Sequence, residues 1–369
     1  MEKLRAVVVG GGIVGLHFAR LAADAGIEVV LYESKPRVSD SAGRASGILS
    51  IRGLSRIGID YNGAVVNTLH GAVLHSNSRT LNIVSHRPMA YVLDRGILAE
   101  NAERSAKSAG ADIIKGKRLQ KHDLVELACD RSTVLVGADG AVSGVAKAFG
   151  FPPIDDYVLT YKAEYNGASV ETDSVVGLYF SKHYAQGLFG WHVPYSNGSI
   201  ELGLGISPSD RIDSRTAFRR FTGSGDLDRM IEGARMVSGH ASIIPLAPRR
   251  KTVIGNVALV GDAAGQVKAT TGGGIIFGCL SAKLLCDSIV KSNGNVSNVA
   301  RYEHTWRAAH GMDLSMHRMI HSYYSKASNL GLTFGMAKAL GLEDFFSRYG
   351  DMDSPGLMIK RFLIRGFSE

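Results

Sequence analysis

The first 33 residues have the hydrophobic pattern of a strand, a helix and a second strand. Residues 7–9 are consecutive valines, which is typical of a fully buried strand. Residues 13–25 have the periodicity of a helix that ends at Gly26, and residues 27–33 form the next apolar run. This order predicts a βαβ unit with two parallel strands.

The centre of the chain has mostly the shorter periodicity of strands. Residues 65–93 and 157–206 alternate apolar and polar positions between turns, which predicts antiparallel strands. Between these stretches, Asp94 can cap a helix that continues to Ser108, and residues 133–137 predict a buried strand.

A buried strand of the parallel type returns at residues 253–261, and a glycine-led helix follows it to about Val290. Residues 297–369 have a helical pattern with aromatic residues and methionines. Met312, Met316, Met319, Tyr323 and Tyr324 lie near helical spacing there, which indicates either core or an apolar tunnel. Because parallel-type strands flank the alternating centre, we expect a discontinuous α/β domain with an inserted sheet domain.

A glycine-rich turn connects the first strand to the first helix. It fits the pattern G-x-G-x-x-G, with the sequence Gly10-Gly11-Gly12-Ile13-Val14-Gly15. Gly10 permits the tight bend, Gly12 lets the backbone approach a pyrophosphate, and Gly15 lets the helix pack on the strand. Glu33 ends the second strand, where a carboxylate can bind ribose hydroxyls. We interpret the unit as an ADP-binding site; the alternative is a glycine-rich turn in another kind of α/β protein.

A second candidate segment follows the strand at residues 253–261. Its sequence is Val260-Gly261-Asp262-Ala263-Ala264-Gly265, and Asp262 can accept hydrogen bonds from a polyol such as ribityl. Gly272, Gly273 and Gly274 then begin the long helix. Their bare backbone can lie against an isoalloxazine ring, and the helix N terminus favours negative charge on a reduced flavin. Together with the ADP site, this segment predicts FAD as the cofactor.

Two further positions are candidates for contact with the cofactor. Arg95 follows the helix cap and can approach the cofactor, although a solvated helical arginine is the alternative. Asp139 lies in Gly137-Ala138-Asp139-Gly140 after a buried strand, where the alternative is a hairpin turn of the Asp-Gly type. Ser143 and Val145 after this turn favour the cofactor interpretation.

These four segments, in this order, resemble the FAD enzymes of the para-hydroxybenzoate hydroxylase type, which have the glutathione reductase-like fold. The resemblance covers residues 1–290 and identifies no catalytic residue. It implies cofactor contacts at Gly10, Gly12, Gly15, Glu33, Arg95, Asp139, Asp262, Gly273 and Gly274, with Ile13, Val14 and Gly261 in the same segments.

A narrower resemblance is to the archaeal geranylgeranyl reductases, which saturate isoprenoid chains of membrane lipids. That family has aromatic-x-Trp-x-Phe-Pro and then Gly-x-Gly; here the matching sequence is Phe189-Gly190-Trp191-His192-Val193-Pro194 and then Gly203-Leu204-Gly205. Ser46-Gly47 is the best local match to a Cys-Gly pair near the flavin in several members, and Gly350-Asp351-Met352-Asp353 also looks like that family. The resemblance implies an FAD-dependent reductase of phospholipid biosynthesis that acts on CH–CH bonds of a prenyl-lipid substrate.

Strand geometry gives the aromatic motif a physical role. Phe189, Trp191 and Val193 are two residues apart, so they share one face of a strand and can wall an apolar cavity beside the flavin. The alternative is ordinary sheet core. Leu188, Gly190 and His192 are expected on the opposite face, away from the substrate.

The predicted fold is α/β, with an FAD-binding Rossmann-like domain of the glutathione reductase type, an inserted antiparallel sheet domain and a C-terminal helical region. We assign residues 1–64, 88–150 and 249–296 to the FAD-binding domain. The substrate domain comprises residues 65–87 and 151–248, and the helical region comprises residues 297–369.

Composition and charge indicate which kinds of binding partner to expect. Hydrophobic residues make up 45% of the 369 residues, which allows a large core, and the formal net charge is +8. No stretch interleaves basic and aromatic residues, so no nucleic-acid partner is expected. The basic surface suits an anionic substrate or peripheral contact with the inner face of the cell membrane; a generally basic proteome is the alternative.

The cysteines indicate the cellular compartment, and the number of dinucleotide-binding motifs indicates how the flavin is reduced. Cys129, Cys279 and Cys286 form no CxxC pair, which predicts neither a zinc site nor a disulfide framework and suits the cytoplasm. No apolar run reaches the length of about 18 residues that a membrane span needs. Because only one G-x-G-x-x-G is present, no second dinucleotide domain serves NAD(P)H, and the reductant is NAD(P)H, ferredoxin or another donor.

Two other functions are compatible with the same motifs. Flavin-dependent monooxygenases and halogenases share the fold, and halogenases carry Trp-x-Trp-x-Ile-Pro, from which Phe189 departs. A flavin-binding electron carrier or redox sensor is the second alternative, but a carrier has no need of a large inserted sheet domain.

Overall fold

The computed structural model describes residues 4–40, 46–76, 79–130, 132–291, 299–327, 329–358 and 360. The strands are β1 (Arg5–Val9), β2 (Glu28–Glu33), β3 (Ile48–Ser50), β4 (Val65–Leu69), β5 (Gly71–Ser76), β6 (Arg79–Val84), β7 (Ala90–Leu93), β8 (Asp112–Lys115), β9 (Thr133–Gly137), β10 (Tyr157–Asn166), β11 (Val175–Phe180), β12 (Gly187–Pro194), β13 (Ser199–Ile206), β14 (Arg235–Pro245), β15 (Val253–Ile254) and β16 (Val257–Leu259). The helices are α1 (Ile13–Asp24), α2 (Ile51–Ile57), α3 (Arg95–Ser108), α4 (Lys121–Cys129), α5 (Gly144–Ala148), α6 (Ser214–Thr222), α7 (Gly225–Met230), α8 (Ile275–Val290), α9 (Ala300–Lys326), α10 (Leu330–Ala339) and α11 (Leu342–Tyr349).

The first sheet is the predicted α/β core. Its strands lie in the order β15-β16-β9-β1-β2-β8, and every neighbouring pair is parallel except β15 and β16. Val7 and Val8 in the central strand β1 are completely buried, as expected for a strand covered on both faces. The helix α1 packs against α3 and α8. The βαβ unit and the parallel strand predicted at residues 133–137 are therefore confirmed. Of residues 253–261, Val257–Leu259 form the predicted parallel strand, whereas Val253–Ile254 form a separate antiparallel strand.

The second sheet has the strand order β14-β10-β13-β12-β11-β5-β6. Its neighbours are antiparallel, as predicted, apart from β5 and β11, which run parallel with Gly71 opposite Val175. Alternation of apolar and polar residues gives the faces of a strand but not its direction, so the sequence held no signal for this parallel pair.

A small sheet, β3-β7-β4, lies at the boundary between the two halves. Ile48 pairs with Val92, and Val65 pairs with Leu93. Residues 65–69, which the sequence assigned to the substrate domain, thus pair with β7 of the predicted FAD-binding domain. The division into domains stays a proposal, with this segment at the boundary.

The helices begin and end close to the predicted residues. Asp94 Oδ1 accepts a hydrogen bond from Ile97 N at 3.0 Å and caps α3. Gly274 precedes α8, as predicted for a glycine-led helix. Trp306 on α9 is fully buried. Residues 361–369 of the predicted helical region, together with 297, 298, 328 and 359, lie outside the described residues.

The five residues of the methionine and tyrosine stripe on α9 divide between surface and core. Met312, Met319 and Tyr323 are 76%, 60% and 55% exposed, whereas Tyr324 turns inward and packs against Phe180 and Phe189. Within the described part of the chain, no helix has the length and apolar character needed to cross a bilayer.

Buried histidines make the fold sensitive to acid. Burial, with a smaller effect of Arg20 and Lys283, lowers the pKa of His17 on α1 to about 4. Burial likewise lowers the pKa of His192 and of His317 to about 4. Because the unfolded chain binds these protons at the ordinary pKa of 6.5, the free energy of unfolding falls as pH drops from 6.5 toward 4.

We expect the urea midpoint to fall between pH 7 and pH 5, with a loss of at most about 2 kcal/mol for each of these histidines. His17→Leu removes one titrating group from the buried face of α1, so the variant should depend less on pH. An identical pH dependence in the variant and in the wild type, measured by urea unfolding, would contradict this account.

Candidate functional site

A large cleft of about 1960 Å³ is lined by residues of both main sheets. Its lining comes from the glycine turn after β1, the ends of β2 and β9, residues 260–275, the face of β12 and the end of α11. Ordinary small-molecule pockets have roughly 300–1,000 Å³. The cleft therefore has room for a dinucleotide and a second molecule.

The glycine turn forms one end of the cleft, and each glycine has a separate geometric reason. Gly10 has φ +112°, and a Cβ there would lie 2.4 Å from Ala138 O. A Cβ at Gly15 would lie 2.1 Å from Gly10 O, so only glycine lets α1 approach β1 this closely. Gly12 faces open space, since a Cβ there would meet nothing within 4 Å. Gly12, Ile13 and Val14 line the cleft, and Gly15 lies behind the lining.

Glu33 lies beside this turn at the end of β2. Its Oε2 accepts a hydrogen bond from Gly11 N at 2.6 Å, and its Oε1 accepts one from Lys35 N at 2.8 Å. The carboxylate is thus fixed at the mouth of the turn and lines the cleft, at the position where the motif predicts ribose binding.

The strand β12 contributes the apolar wall of the cleft. Phe189, Trp191 and Val193 are buried, form part of one apolar cluster and line the cleft. Leu188 belongs to the same cluster, which corrects the expectation that it faces away. The reason is a shift of register between Gly187 and Gly190 that places adjacent residues on one side. His192 does face away, and its Nδ1 lies 2.9 Å from Tyr179 Oη.

The Gly-x-Gly of β13 makes room for this wall. A Cβ at Gly203 would lie 2.3 Å from Cζ2 of Trp191, and a Cβ at Gly205 would lie 2.8 Å from Cβ of Leu188. The two halves of the family-like motif are therefore cross-strand partners. The glycines are required because the bulky residues of β12 lie directly over them.

Known proteins resemble this chain in sequence and in fold. Residues 5–56 match the family model described as FAD dependent oxidoreductase. The chain is 26% identical over 354 residues to the digeranylgeranylglycerophospholipid reductase of Methanothrix thermoacetophila, and the match covers 88% of each chain. A geranylgeranyl bacteriochlorophyll reductase-like protein from Thermoplasma acidophilum has a TM-score of 0.80 at 19% identity, covering 96% of this chain and 94% of that chain. A flavin-dependent brominase has a TM-score of 0.70 at 14% identity, covering 99% of this chain and 100% of that chain.

The chain is an FAD-dependent oxidoreductase. The likeness to the solved structures shows the fold, and the sequence similarity to named reductases confirms the resemblance to the geranylgeranyl reductases. The predictions of the fold class and of FAD as the cofactor of this oxidoreductase are confirmed.

The residues of the oxidoreductase fit the flavin half of FAD at Arg95 and Asp262. Protein surrounds both side chains, yet each keeps part of its surface open to the cleft. Burial raises the pKa of Asp262, and Arg95 opposes the rise; burial lowers the pKa of Arg95. Arg95 Nε has no hydrogen-bond partner among the described residues. A buried donor without a partner is costly, so its presence here fits a polar ligand in the cleft.

The glycines before α8 fit an approaching ring. A Cβ at Gly274 would lie 2.3 Å from Asp262 Oδ1, so the side chain of Asp262 lies against a bare helix start. Gly261, Gly273 and Gly274 line the cleft. The N terminus of the 16-residue helix α8 therefore opens onto the cleft and favours negative charge there.

Asp139 of the oxidoreductase is held by its own loop. Its Oδ1 accepts a hydrogen bond from Ser143 Oγ at 2.6 Å, and its Oδ2 accepts one from Val145 N at 3.0 Å. The loop leads from β9 into α5, so the alternative of a hairpin turn is wrong. Asp139 lines the cleft, but these contacts show it first as a residue that shapes the turn.

Ser46 lies at the surface of the cleft, whereas Gly47 does not. Ser46 lines the cleft, and its hydroxyl donates to Glu201. A Cβ at Gly47 would lie 2.0 Å from Leu93 O, so Gly47 permits the contact between β3 and β7 and is not part of the lining. The binding roles predicted for these residues stay proposals.

Sequence analysis missed two buried ion pairs at the cleft. Lys162 Nζ lies 2.5 Å from Glu201 Oε2, and Lys268 Nζ lies 2.5 Å from Asp353 Oδ1. Asp353 belongs to the Gly-Asp-Met-Asp segment, which the sequence analysis noted only for its resemblance to the geranylgeranyl reductases. Lys162 and Glu201 gave none, because single charged residues in alternating strands are ordinarily solvated.

Proposed function

We propose that this oxidoreductase reduces carbon–carbon double bonds of geranylgeranyl chains in membrane lipids or their precursors. The observation that carries the proposal is the apolar wall of Phe189, Trp191 and Val193 in the same cleft as the ADP-type glycine turn. A relative is named for a digeranylgeranyl glycerophospholipid, and an isoprenoid chain offers chiefly apolar surface for recognition. A cleft with an apolar wall and a separate glycine-rich end suits such a chain beside a dinucleotide.

We propose that FAD lies along the line from the glycine turn to the start of α8. The ADP half would contact Gly10, Gly12, Ile13, Val14 and Glu33. The flavin half would contact a second set of residues: Ser46, Arg95, Asp139, Gly261, Asp262, Gly273 and Gly274. Gly15 and Gly47 would act through packing, since neither lines the cleft.

Bound in this cleft, reduced FAD would supply a hydride to one alkene carbon, and a proton would have to reach the other carbon. The protein would act mainly by positioning the substrate, because an isolated alkene offers no strong hydrogen-bond acceptor. The wall on β12 would exclude water and hold the double bond in a fixed orientation.

The test is product analysis under anaerobic conditions. Dithionite-reduced enzyme and a geranylgeranyl lipid should give products heavier in steps of two hydrogens by mass spectrometry. A product that gains oxygen or halogen, and only in air, would show that the protein acts as a monooxygenase or halogenase. Enzymes of those classes share this fold. Flavin turnover without any change in the lipid would favour an electron carrier.

We propose that a separate reductant delivers electrons to the flavin. The chain has one G-x-G-x-x-G, which FAD would occupy, so the donor would be NAD(P)H bound transiently, ferredoxin or another carrier. Stopped-flow reduction of the flavin with each donor in turn would identify it.

We also propose that the protein is cytoplasmic and contacts the inner face of the membrane through α10. Leu332, Met336 and Leu340 are spaced by four residues and are 57%, 66% and 69% exposed, while Leu330 and Phe334 are buried on the opposite face. An exposed row of large apolar side chains on a helix suits a lipid interface. The helix α11, whose end lines the cleft, follows α10 directly.

We expect the protein to bind vesicles with anionic lipid more tightly than neutral vesicles, since each basic residue near such a surface contributes about 1 kcal/mol. Salt should weaken the binding. Met336→Glu should reduce vesicle co-sedimentation, whereas Val125→Glu, at an exposed apolar position on α4, should not. Equal binding to both vesicle types, or unchanged binding of Met336→Glu, would remove the proposed membrane face.

A further inference from the structure

A buried polar cluster interrupts the apolar wall of the cleft. The side chain of Glu201 is 2% exposed, and its carboxylate accepts hydrogen bonds from Trp191 Nε1 at 2.9 Å and from Ser46 Oγ. Its other oxygen lies 2.5 Å from Lys162 Nζ. Ser46, Lys162 and Trp191 all line the cleft, whereas Glu201 lies behind them.

Strand register brings this cluster together. Glu201 on β13 lies opposite Val193 on β12, and Lys162 on β10 lies opposite Gly203 on β13. Residues 201 and 203 are two apart and share a face, so the lysine and the indole reach the same carboxylate from the strands on either side. Gly203 leaves the space that the indole fills.

Stability does not explain the ion pair. Removing two charges from water costs several kcal/mol for each ion, and a well-packed apolar pair of similar volume is often as stable. An apolar substrate gains no binding energy from a charge in the wall. A buried pair of titratable groups in a cleft is, however, a candidate for proton transfer.

We propose that the ammonium group of Lys162 is the proton source for alkene reduction, and that Glu201 positions it and Ser46 beside the bound chain. This inference rests on the proposed function. The hydride from reduced FAD forms a C–H bond at one alkene carbon. An N–H bond of Lys162 breaks, and its proton forms the C–H bond at the other carbon. FAD is left oxidised, the alkene is reduced, and the neutral amine regains a proton from water after the product leaves.

Two other titratable groups of the cleft, Lys268 and His70, have partners of their own. Lys268 is held by Asp353, which also accepts from Ser50, and this contact ties the turn before α8 to the C-terminal segment. His70 Nδ1 lies 3.1 Å from Ser85 O. The side chain of Lys162 is 13% exposed and that of Lys268 only 5%, so Lys162 is the more accessible ammonium group.

The test uses Lys162→Ala in an anaerobic single turnover. Holoenzyme is reduced with dithionite and mixed with a geranylgeranyl lipid, and the saturated product is measured against time. Loss of a general acid should lower the rate about 10²–10⁴-fold. Ethylammonium should restore part of the rate, because a small amine can occupy the space left by the side chain. FAD absorbance and the dissociation constant of a fully saturated lipid analogue should stay as in the wild type.

Matched variants separate the proton role from a structural one. Lys251→Met, at an exposed position outside the cleft, should keep the wild-type rate. Lys268→Ala should show no recovery with ethylammonium. If Lys162→Ala does not bind FAD, Lys162→Met takes its place. It keeps the length of the side chain and leaves no space for the amine, so its rate alone is then the test.

Three results would overturn the inference. They are a rate for either Lys162 variant within about tenfold of the wild type, a slow Lys162→Ala variant with FAD bound that ethylammonium does not restore, and recovery by the amine in Lys268→Ala alone. Failure of the wild type to saturate any double bond would instead overturn the proposed function, so the two failures are distinguishable.

Discussion

Gly12→Val is expected to abolish FAD binding while leaving the fold intact. The backbone at Gly12 has φ −70° and ψ 169°, which any residue adopts, and a Cβ there meets no atom within 4 Å. The added side chain would instead fill the part of the cleft where the pyrophosphate is proposed to lie. We expect the dissociation constant for FAD to rise at least about 100-fold, or about 2.7 kcal/mol. Flavin fluorescence titration measures this, and thermal unfolding of the apoprotein reports the fold.

Gly15→Val is the matched control, because its Cβ would lie 2.1 Å from Gly10 O. That variant should lose FAD and stability together, since α1 can no longer pack on β1. Asp262→Ala should lower FAD occupancy from the other end of the cleft. Normal FAD binding by Gly12→Val would mean that the cofactor does not cross this turn.

Trp191→Ala is expected to lower prenyl turnover about 100-fold while FAD stays bound. The indole is 9% exposed, lines the cleft and donates a hydrogen bond to Glu201. Its removal leaves a cavity in the wall and takes one donor from a buried carboxylate. The free energy of unfolding should also fall, by about 3–5 kcal/mol as for other buried large-to-alanine changes. Anaerobic product formation and flavin absorbance, measured on the same sample, separate the two effects.

Two further variants distinguish a substrate wall from plain core. Trp191→Phe keeps an aromatic surface but loses the hydrogen bond to Glu201. Gly203→Val keeps the tryptophan but forces it to move, because the new Cβ would lie 2.3 Å from Cζ2. If Trp191→Ala loses its flavin or its fold, the tryptophan is core. If turnover is unchanged in all three variants, the substrate lies elsewhere.

The cofactor half of the molecule was predictable because its motifs encode local geometry. Gly10 has the positive φ of a tight turn, and a Cβ at Gly15 would meet Gly10 O within the same turn, so the spacing of the motif reflects local geometry. Asp94 caps α3 through an atom three residues away. Such features depend on sequence neighbours and need no knowledge of the tertiary fold.

The polar cluster and the full extent of the apolar wall were not predictable, because they depend on contacts between residues that are distant in sequence. Lys162 and Glu201 meet across two strands, and only the register of β10 and β13 brings them together. Leu188 joins the wall because of a bulge, which shifts the alternation by one residue. The pattern of apolar and polar residues does not show which strands pair, so the sequence alone could not bring these residues together.

The parallel pairing of β5 with β11 has a consequence for folding during synthesis. Gly71 on β5 can pair only after Val175 on β11, about 100 residues later in the chain, has been synthesised. Until then this part of the large sheet cannot form. Until then the backbone groups of β5 have a free edge, which is the kind of surface that mispairs or aggregates. Pairs so distant in sequence also slow folding, because the loop must close before the contact stabilises it. Synthesis of β11, and not the early appearance of the glycine turn, would then set the earliest time at which this edge of the sheet can form.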